Sequence, residues 1–227
     1  LKHKGIIANP NCSTIIMVMA LKPIYDLAKI KRVIVSTYQA VSGAGKEGID
    51  ELDAQVRDHS EGREMTANIL PSASAEKHYP IAFNLIPQID VFCDNLYTKE
   101  EMKMVNETKK IMEDYEMRIT ATTIRVPVYR SHSESVNIEL EKEVDLGAMR
   151  EALAKFPGVT VQDDPSKQEY PMPLYTSEKD DVYVGRLRRD ESCEKSYNMW
   201  VVGDQIRKGA ALNTLQIAET MIKNGWI

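Results

Sequence analysis

The chain has 227 residues, 43% of them hydrophobic and 28% charged, with a formal net charge of −5; that balance is typical of a soluble globular protein and carries no nucleic-acid footprint. The apolar run Ile15 to Leu21 is far too short to span a bilayer and nothing resembles a secretory signal, so the expectation is a cytoplasmic protein without a membrane partner. Three cysteines, Cys12, Cys93 and Cys193, at wide and unrelated spacings fit neither a disulfide framework nor a metal knuckle.

The chain opens with Leu1 rather than Met and runs through Lys2-His3-Lys4-Gly5 into Ile6-Ile7-Ala8, which reads as the end of a strand in a piece of a longer polypeptide. Asn9-Pro10-Asn11-Cys12-Ser13-Thr14 follows, directly before the apolar helical segment Ile15 to Leu27. A thiol at a helix start faces unpaired backbone N–H groups and the positive end of the helix dipole, which predicts a lowered pKa and a nucleophile. The alternative is a small, inert cysteine filling space at the top of the helix. Cys93, after Val91-Phe92, is expected in a core, and Cys193, beside Glu191 and Glu194, is expected to disfavour a thiolate.

Lys31 to Ala40 is rich in β-branched residues and reads as a strand; Gly45 to Ser60 reads as a helix with Ile49, Leu52 and Val56 at helical spacing. Ser42-Gly43-Ala44-Gly45 between them lacks the third glycine and the acidic residue of a dinucleotide-binding turn, and no other candidate occurs in the chain. A proline-containing loop from Gly62 to Asp94 precedes a helix from Lys99 to Asp114, its apolar side set by Met102, Val105 and Met112. Arg118 to Val128 and Ser135 to Glu143 read as strands whose short link, Tyr129 to Glu134, predicts antiparallel pairing. Asp145 caps a helix ending at Phe156, Gly158 stops it, and Val159 to Gln162 is a short strand. Asp163 to Lys179, with three prolines, reads as an ordered excursion; strands at Val182 to Arg189 and Ser196 to Val202 and a helix from Gly209 to Asn224 complete the chain. Late strands in series argue for one α+β domain over residues 1–227, its sheet mostly antiparallel or mixed, with helices on one face.

The strings NPNCST at Asn9 to Thr14, STYQAVSGAG at Ser36 to Gly45, RVPVYRSHSES at Arg125 to Ser135 and DQIRKGAALNT at Asp204 to Thr214 together resemble aspartate-β-semialdehyde dehydrogenase. The resemblance covers nearly the whole chain but not the family's N-terminal NADP-binding half. It implies a catalytic and dimerisation domain of the glyceraldehyde-phosphate-dehydrogenase type, a homodimer or homotetramer, whose helix at 209–224 packs on the absent nucleotide-binding domain. The implied reaction interconverts aspartate semialdehyde and aspartyl phosphate with NADP and phosphate, in lysine, threonine and methionine biosynthesis, with no metal. Carried over residue by residue, Cys12 is the thioester-forming nucleophile, His132 the acid/base residue and Gln39 the group orienting substrate at the thiol. Arg125 clamps the substrate carboxylate, as a planar guanidinium can. Glu100 takes the substrate amino group, with Glu101 next to it leaving the register open by one, and Lys103 takes phosphate. Ser42, Gly43 and Gln205 approach the cofactor. The bland alternatives are a histidine in a turn, an Arg125 ion pair with a nearby glutamate, and a solvated helix face for Glu100. An N-acetyl-glutamyl-phosphate reductase-like enzyme, a cofactor-free Cys–His hydrolase and a non-catalytic dimerisation module are the competing functions.

Overall fold

Six strands and six α-helices organise residues 5–227, which the computed structural model describes; His3 lies outside them. In chain order they are α1 (Cys12–Leu27), β1 (Ile30–Gln39), α2 (Lys46–Ser60), α3 (Lys99–Ile111), β2 (Arg118–Arg125), β3 (His132–Leu140), α4 (Leu146–Lys155), β4 (Val159–Val161), α5 (Pro173–Thr176), β5 (Val182–Arg189), β6 (Ser196–Gly203) and α6 (Leu212–Lys223). The strands form one mixed sheet in the order β2-β1-β3-β6-β5-β4. β1/β2 and β4/β5 are parallel and the three pairs between them antiparallel, so the expected α+β architecture holds. No helix is long and apolar enough to cross a membrane among the described residues.

The expected antiparallel pairing of the strands on either side of Tyr129 to Glu134 is not made. β1 lies between β2 and β3, parallel to one and antiparallel to the other. The link crosses the end of β1 and is stapled to it, Val126 N–H donating to Gln39 O at 3.0 Å and Val41 N–H to Val128 O at 2.8 Å. Spanning two strand spacings takes about 10 Å, well within the reach of six residues. β3 consequently starts at His132, not at Ser135, and His132 is a strand residue rather than a turn residue.

α1 is apolar almost all round, as a helix buried on most sides must be. Its Ile16, Met17, Ala20, Leu21 and Ile24 pack on the inward residues of the sheet, Val33 and Val35 of β1, Val136, Ile138 and Leu140 of β3, and Met199 and Val201 of β6. Met149 and Leu153 of α4 close that core beside α1. Tyr197 is fully buried within it and its hydroxyl is satisfied by both backbone groups of Val144.

α3 turns a different face inward from the one periodicity suggests, and α2 does so only in part, since Leu52 is buried and Ile49 packs beside it as expected. On α2, Val56 is 39% exposed, while Glu51 and Gln55 are buried. Their side chains organise the following loop: Gln55 Oε1 accepts from Ile81 and Ala82 N–H, and Glu51 Oε2 from Asn68 and Ile69 N–H. A second cluster of Val41, Leu52, Leu70, Ile81, Ala82 and Ile86 forms around these bonds. On α3 the inward face is Glu100, Glu101, Met104 and Thr108, because two carboxylates with specific partners occupy it. The excursion at 163–179 is ordered and crosses the outer face of the sheet, where Trp200 Nε1 donates to Pro171 O at 3.1 Å.

Candidate active site

Four strand ends and the start of α1 meet at one edge of the sheet. Arg125 of β2 pairs with Gln39 of β1, and His132 of β3 pairs with Gly203 of β6. Period-two alternation from the core residues of each strand turns Arg125, Gln39 and His132 toward α1. One step deeper on the same face runs the row Thr123, Thr37, Glu134 and Val201.

Cys12 is the first residue of α1 and Asn11 its N-cap, accepting from Thr14 N–H at 3.0 Å. Asn11 does more than cap. Its amide donates to Glu100 Oε1 at 2.7 Å, and its backbone N–H to Glu107 Oε2 at 2.7 Å, tying the cysteine loop to α3. Gln39 Nε2 reaches the same Glu100 oxygen at 3.3 Å. Glu101 instead completes a capping box with Thr98 and accepts from Thr123 N–H, so the uncertainty between the two carboxylates resolves to Glu100 at the cysteine and Glu101 at the helix cap. Asn11 was missed in the sequence, although an Asn before an apolar helix is a cap signal.

The expected low pKa of Cys12 is not found. Burial pushes the thiol up to about 12, Glu100 adds to the rise and Glu134 contributes further; the helix-start N–H and Arg125 pull the other way and lose. Gly209 seals one side, since a Cβ there would lie 3.0 Å from Cys12 Cβ. Cys93 is half-buried beside a 56% exposed Phe92 rather than in a core, and Cys193 is exposed.

Ala40 joins the two strongest polar groups of the site. Its N–H donates to His132 Nδ1 at 3.1 Å and its carbonyl accepts from Arg125 Nη1 at 2.7 Å. With Nδ1 occupied as an acceptor, the neutral imidazole carries its proton on Nε2, an assignment made from the hydrogen bond. Burial, and then Arg125, hold the His132 pKa well below its ordinary value, so the ring is neutral. His132 Nε2 and Arg125 Nε are both buried without a partner among the described residues, and Arg125 makes no carboxylate ion pair there. Gly43 lies against both: a Cβ would come within 2.6 Å of Arg125 Nη1 and 3.2 Å of His132 Cε1.

The remaining residues singled out in the sequence sit around this centre. Ser42 and Gln205 are buried and bonded to each other, and Gln205 Oε1 also accepts from Ser131 N–H at 2.9 Å. Lys103 is half-exposed, 3.4 Å from Glu100 and 3.3 Å from Asp90; burial opposes its charge, but the two carboxylates outweigh it and raise its pKa.

Residues 21–208 match the sequence profile described as semialdehyde dehydrogenase, dimerisation domain. The chain belongs to that family. Its curated relatives include the aspartate-semialdehyde dehydrogenase of Aquifex aeolicus, 55% identical over all of this chain and 65% of the relative, and that of Bacillus subtilis, 52% identical over 98% of this chain and 64% of the relative. Among solved structures, Vibrio cholerae aspartate semialdehyde dehydrogenase II complexed with ASA superposes with a TM-score of 0.90 at 46% identity, covering 96% of this chain and 62% of that one. A probable aspartate-semialdehyde dehydrogenase from Pseudomonas aeruginosa follows the same fold at a TM-score of 0.84 and 25% identity, over 94% of this chain and 61% of that one. The semialdehyde dehydrogenase domain described here therefore spans less than two thirds of the length of these relatives.

Proposed function

We propose that this chain is the catalytic and dimerisation portion of an NADP- and phosphate-dependent aspartate-semialdehyde dehydrogenase, acting through a Cys12 thioester. The observation that carries the reading is the pair of buried, partnerless donors, His132 Nε2 and Arg125 Nε, around a half-buried thiol at a helix start. Leaving buried donors unpaired costs about 1–3 kcal/mol each, a cost recovered when an oxyanion or carboxylate arrives. A hydrolase of the Cys–His type would need an imidazole nitrogen free to take the thiol proton, and here Nδ1 is committed to Ala40.

In the proposed reaction the Cys12 thiol gives its proton to solvent and, as its thiolate, adds to the aldehyde carbon. The former carbonyl oxygen then faces His132 Nε2–H, which steadies the negative charge. Arg125 offers its free edge to the substrate carboxylate. Glu100, fixed by Asn11 and Gln39, takes the substrate ammonium, and Gln39 orients the substrate at the thiol. NADP, when bound, supplies the hydride acceptor; Ser42, Gly43 and Gln205 form the wall this chain offers it, and the phosphate-binding turn is not among these 227 residues. Phosphate held at Lys103 attacks the resulting thioester and releases Cys12. The orientation of His132 supports proton donation to oxygen more directly than removal of the thiol proton. A cytoplasmic homodimer or homotetramer in amino-acid biosynthesis is the setting this reading implies.

The test is phosphate-dependent NADP reduction with aspartate semialdehyde in the full-length protein. Cys12→Ser should abolish turnover, and Arg125→Leu should cost about 30- to 1000-fold in kcat/KM. Arg125→Lys should be impaired as well, because a point charge cannot reproduce the fork. Wild-type kinetics in both Arg125 variants would overturn the carboxylate assignment; turnover in Cys12→Ser would overturn the thioester.

A further inference from the structure

Glu134 has no role in the reaction just described, yet its place in the sheet is unusual for a carboxylate. It is fully buried, and neither carboxyl oxygen has a hydrogen-bond partner among the described residues. It stands two residues from His132 on the face of β3 that meets α1, in the row directly beneath the Arg125, Gln39 and His132 row. Its lateral neighbours, Thr37 on β1 and Val201 on β6, bring no charge. On α1, at the same end of the sheet, Cys12 feels its charge, and the neighbouring Ser13 hydroxyl is itself buried and unpartnered among the described residues. Along β3 the nearest titratable group is the neutral His132. Beyond Cys12 stand Arg125 and Glu100; at the end of β6 stands Asp204, committed to Arg130, and in the turn after it Lys208, held by Gln216 and Asn213.

We infer that Glu134 is a positioning residue for the nucleophile: as a neutral acid on the α1-facing side of β3 it permits the Cys12 thiolate, and as an anion it opposes it, so Glu134 shifts the pH range over which Cys12 is reactive. The inference deepens the proposed function, since it rests on Cys12 being the nucleophile. A buried carboxylate with no cation or protein donor beside it is costly to ionise, so the proton stays on. Burial accordingly raises the Glu134 pKa well above the ordinary glutamate value, and an ionised Glu134 raises that of Cys12. Replacing the acid with an isosteric amide removes the anion at every pH while keeping the shape.

The test follows carbamidomethylation of Cys12 by iodoacetamide between about pH 6 and 11 in the 227-residue chain, read by mass spectrometry with Cys93 and Cys193 as internal references. In Glu134→Gln the Cys12 profile should move to lower pH, giving labelling about three- to tenfold faster near pH 9, with the other two cysteines unchanged. Glu134→Asp should retain a wild-type-like profile. A protonated-carboxyl infrared band at neutral pH should be present in the wild type, absent from Glu134→Gln, and should titrate where the Cys12 profile bends. That band and bend can be read in the wild type alone if the variants fold poorly. Superimposable Cys12 profiles, or a wild type with no such band at neutral pH, would overturn the inference. Neither readout depends on turnover, so the thioester could fail while Glu134 stands, and the reverse.

Discussion

Gly43 carries the tightest steric condition at the site. A methyl group there would press on the Arg125 guanidinium and the His132 ring at once, and both are already bonded to Ala40. Gly43→Ala should therefore destabilise the chain by about 1–3 kcal/mol in urea unfolding, and in the full-length protein should lower kcat/KM by misplacing both side chains. An unchanged midpoint and unchanged kinetics would mean the guanidinium swings aside freely. The motif around Gly43 was readable in the sequence, but its reason was not: the resemblance points to the cofactor, whereas the close contact is with the side chains of Arg125 and His132. Cys12 teaches the same lesson in the other direction. A helix start predicts an acidic thiol, but burial and two carboxylates are long-range facts that no local pattern encodes, and they outweigh the local term. In the free chain the exposed Cys193, not Cys12, should be alkylated first at neutral pH, which the same mass-spectrometric labelling would decide.

At the scale of elements, types were legible because hydrophobic periodicity is local, and a boundary was legible where a cap marks it: Asp145 caps α4 as expected, accepting from Gly147 and Ala148 N–H, whereas β3 starts three residues earlier than its pattern suggests. What failed was the inward register of α3 and, on α2, the place of Val56 alone, since Leu52 and Ile49 face the core as periodicity suggests. Each helix also buries polar side chains for a purpose, so the buried stripe is not purely the apolar one. Gln55 makes the point testable. Its truncation in Gln55→Ala leaves the N–H groups of Ile81 and Ala82 without acceptors, which should cost about 2–4 kcal/mol. Limited proteolysis should then cut between residues 61 and 98 much earlier than in the wild type, while the strands remain protected. Equal cleavage rates would show that the satellite core alone holds the loop. The misjudged pairing of β2 with β3 has a different origin: a short link fixes how far two strands can be apart, not whether a third, distant in sequence, lies between them.

For the molecule as a whole, two buried groups titrate against each other. His132 resists protonation when folded, so the unfolded chain binds the extra proton and stability is lost as pH falls through its ordinary value of 6.5. Glu134 keeps a proton that the unfolded chain releases above 4.5, so stability also falls as pH rises beyond that value until Glu134 ionises in place. Glu134→Gln should accordingly stabilise the chain by at least about 1 kcal/mol at pH 7 and change little at pH 4, measured by denaturant unfolding at both. The opposite ordering would mean that the native carboxyl is ionised and has found a partner. The 227-residue chain alone should show no phosphate-dependent NADP reduction, because the turn that would cradle the cofactor phosphates is not in its sequence; turnover above a Cys12→Ala control would contradict this.

The crossing of the link over β1 has one more consequence. Tyr129 and Arg130 lie where the chain passes from one flank of β1 to the other, so a cut between them divides the protein into pieces that still share the β1/β3 ladder. The first piece holds the thiol, the glutamine, the glutamate and the guanidinium; the second holds the imidazole and the buried acid. Neither piece carries the candidate site by itself, because Cys12 and Arg125 fall on one side of the cut and His132 on the other. Co-expressed, the pieces would find each other through a ladder that runs from Ile30 to Tyr38 against Ser133 to Leu140, and their co-purification would report docking of the two strands directly, making this link a natural place to split the protein into a complementation sensor.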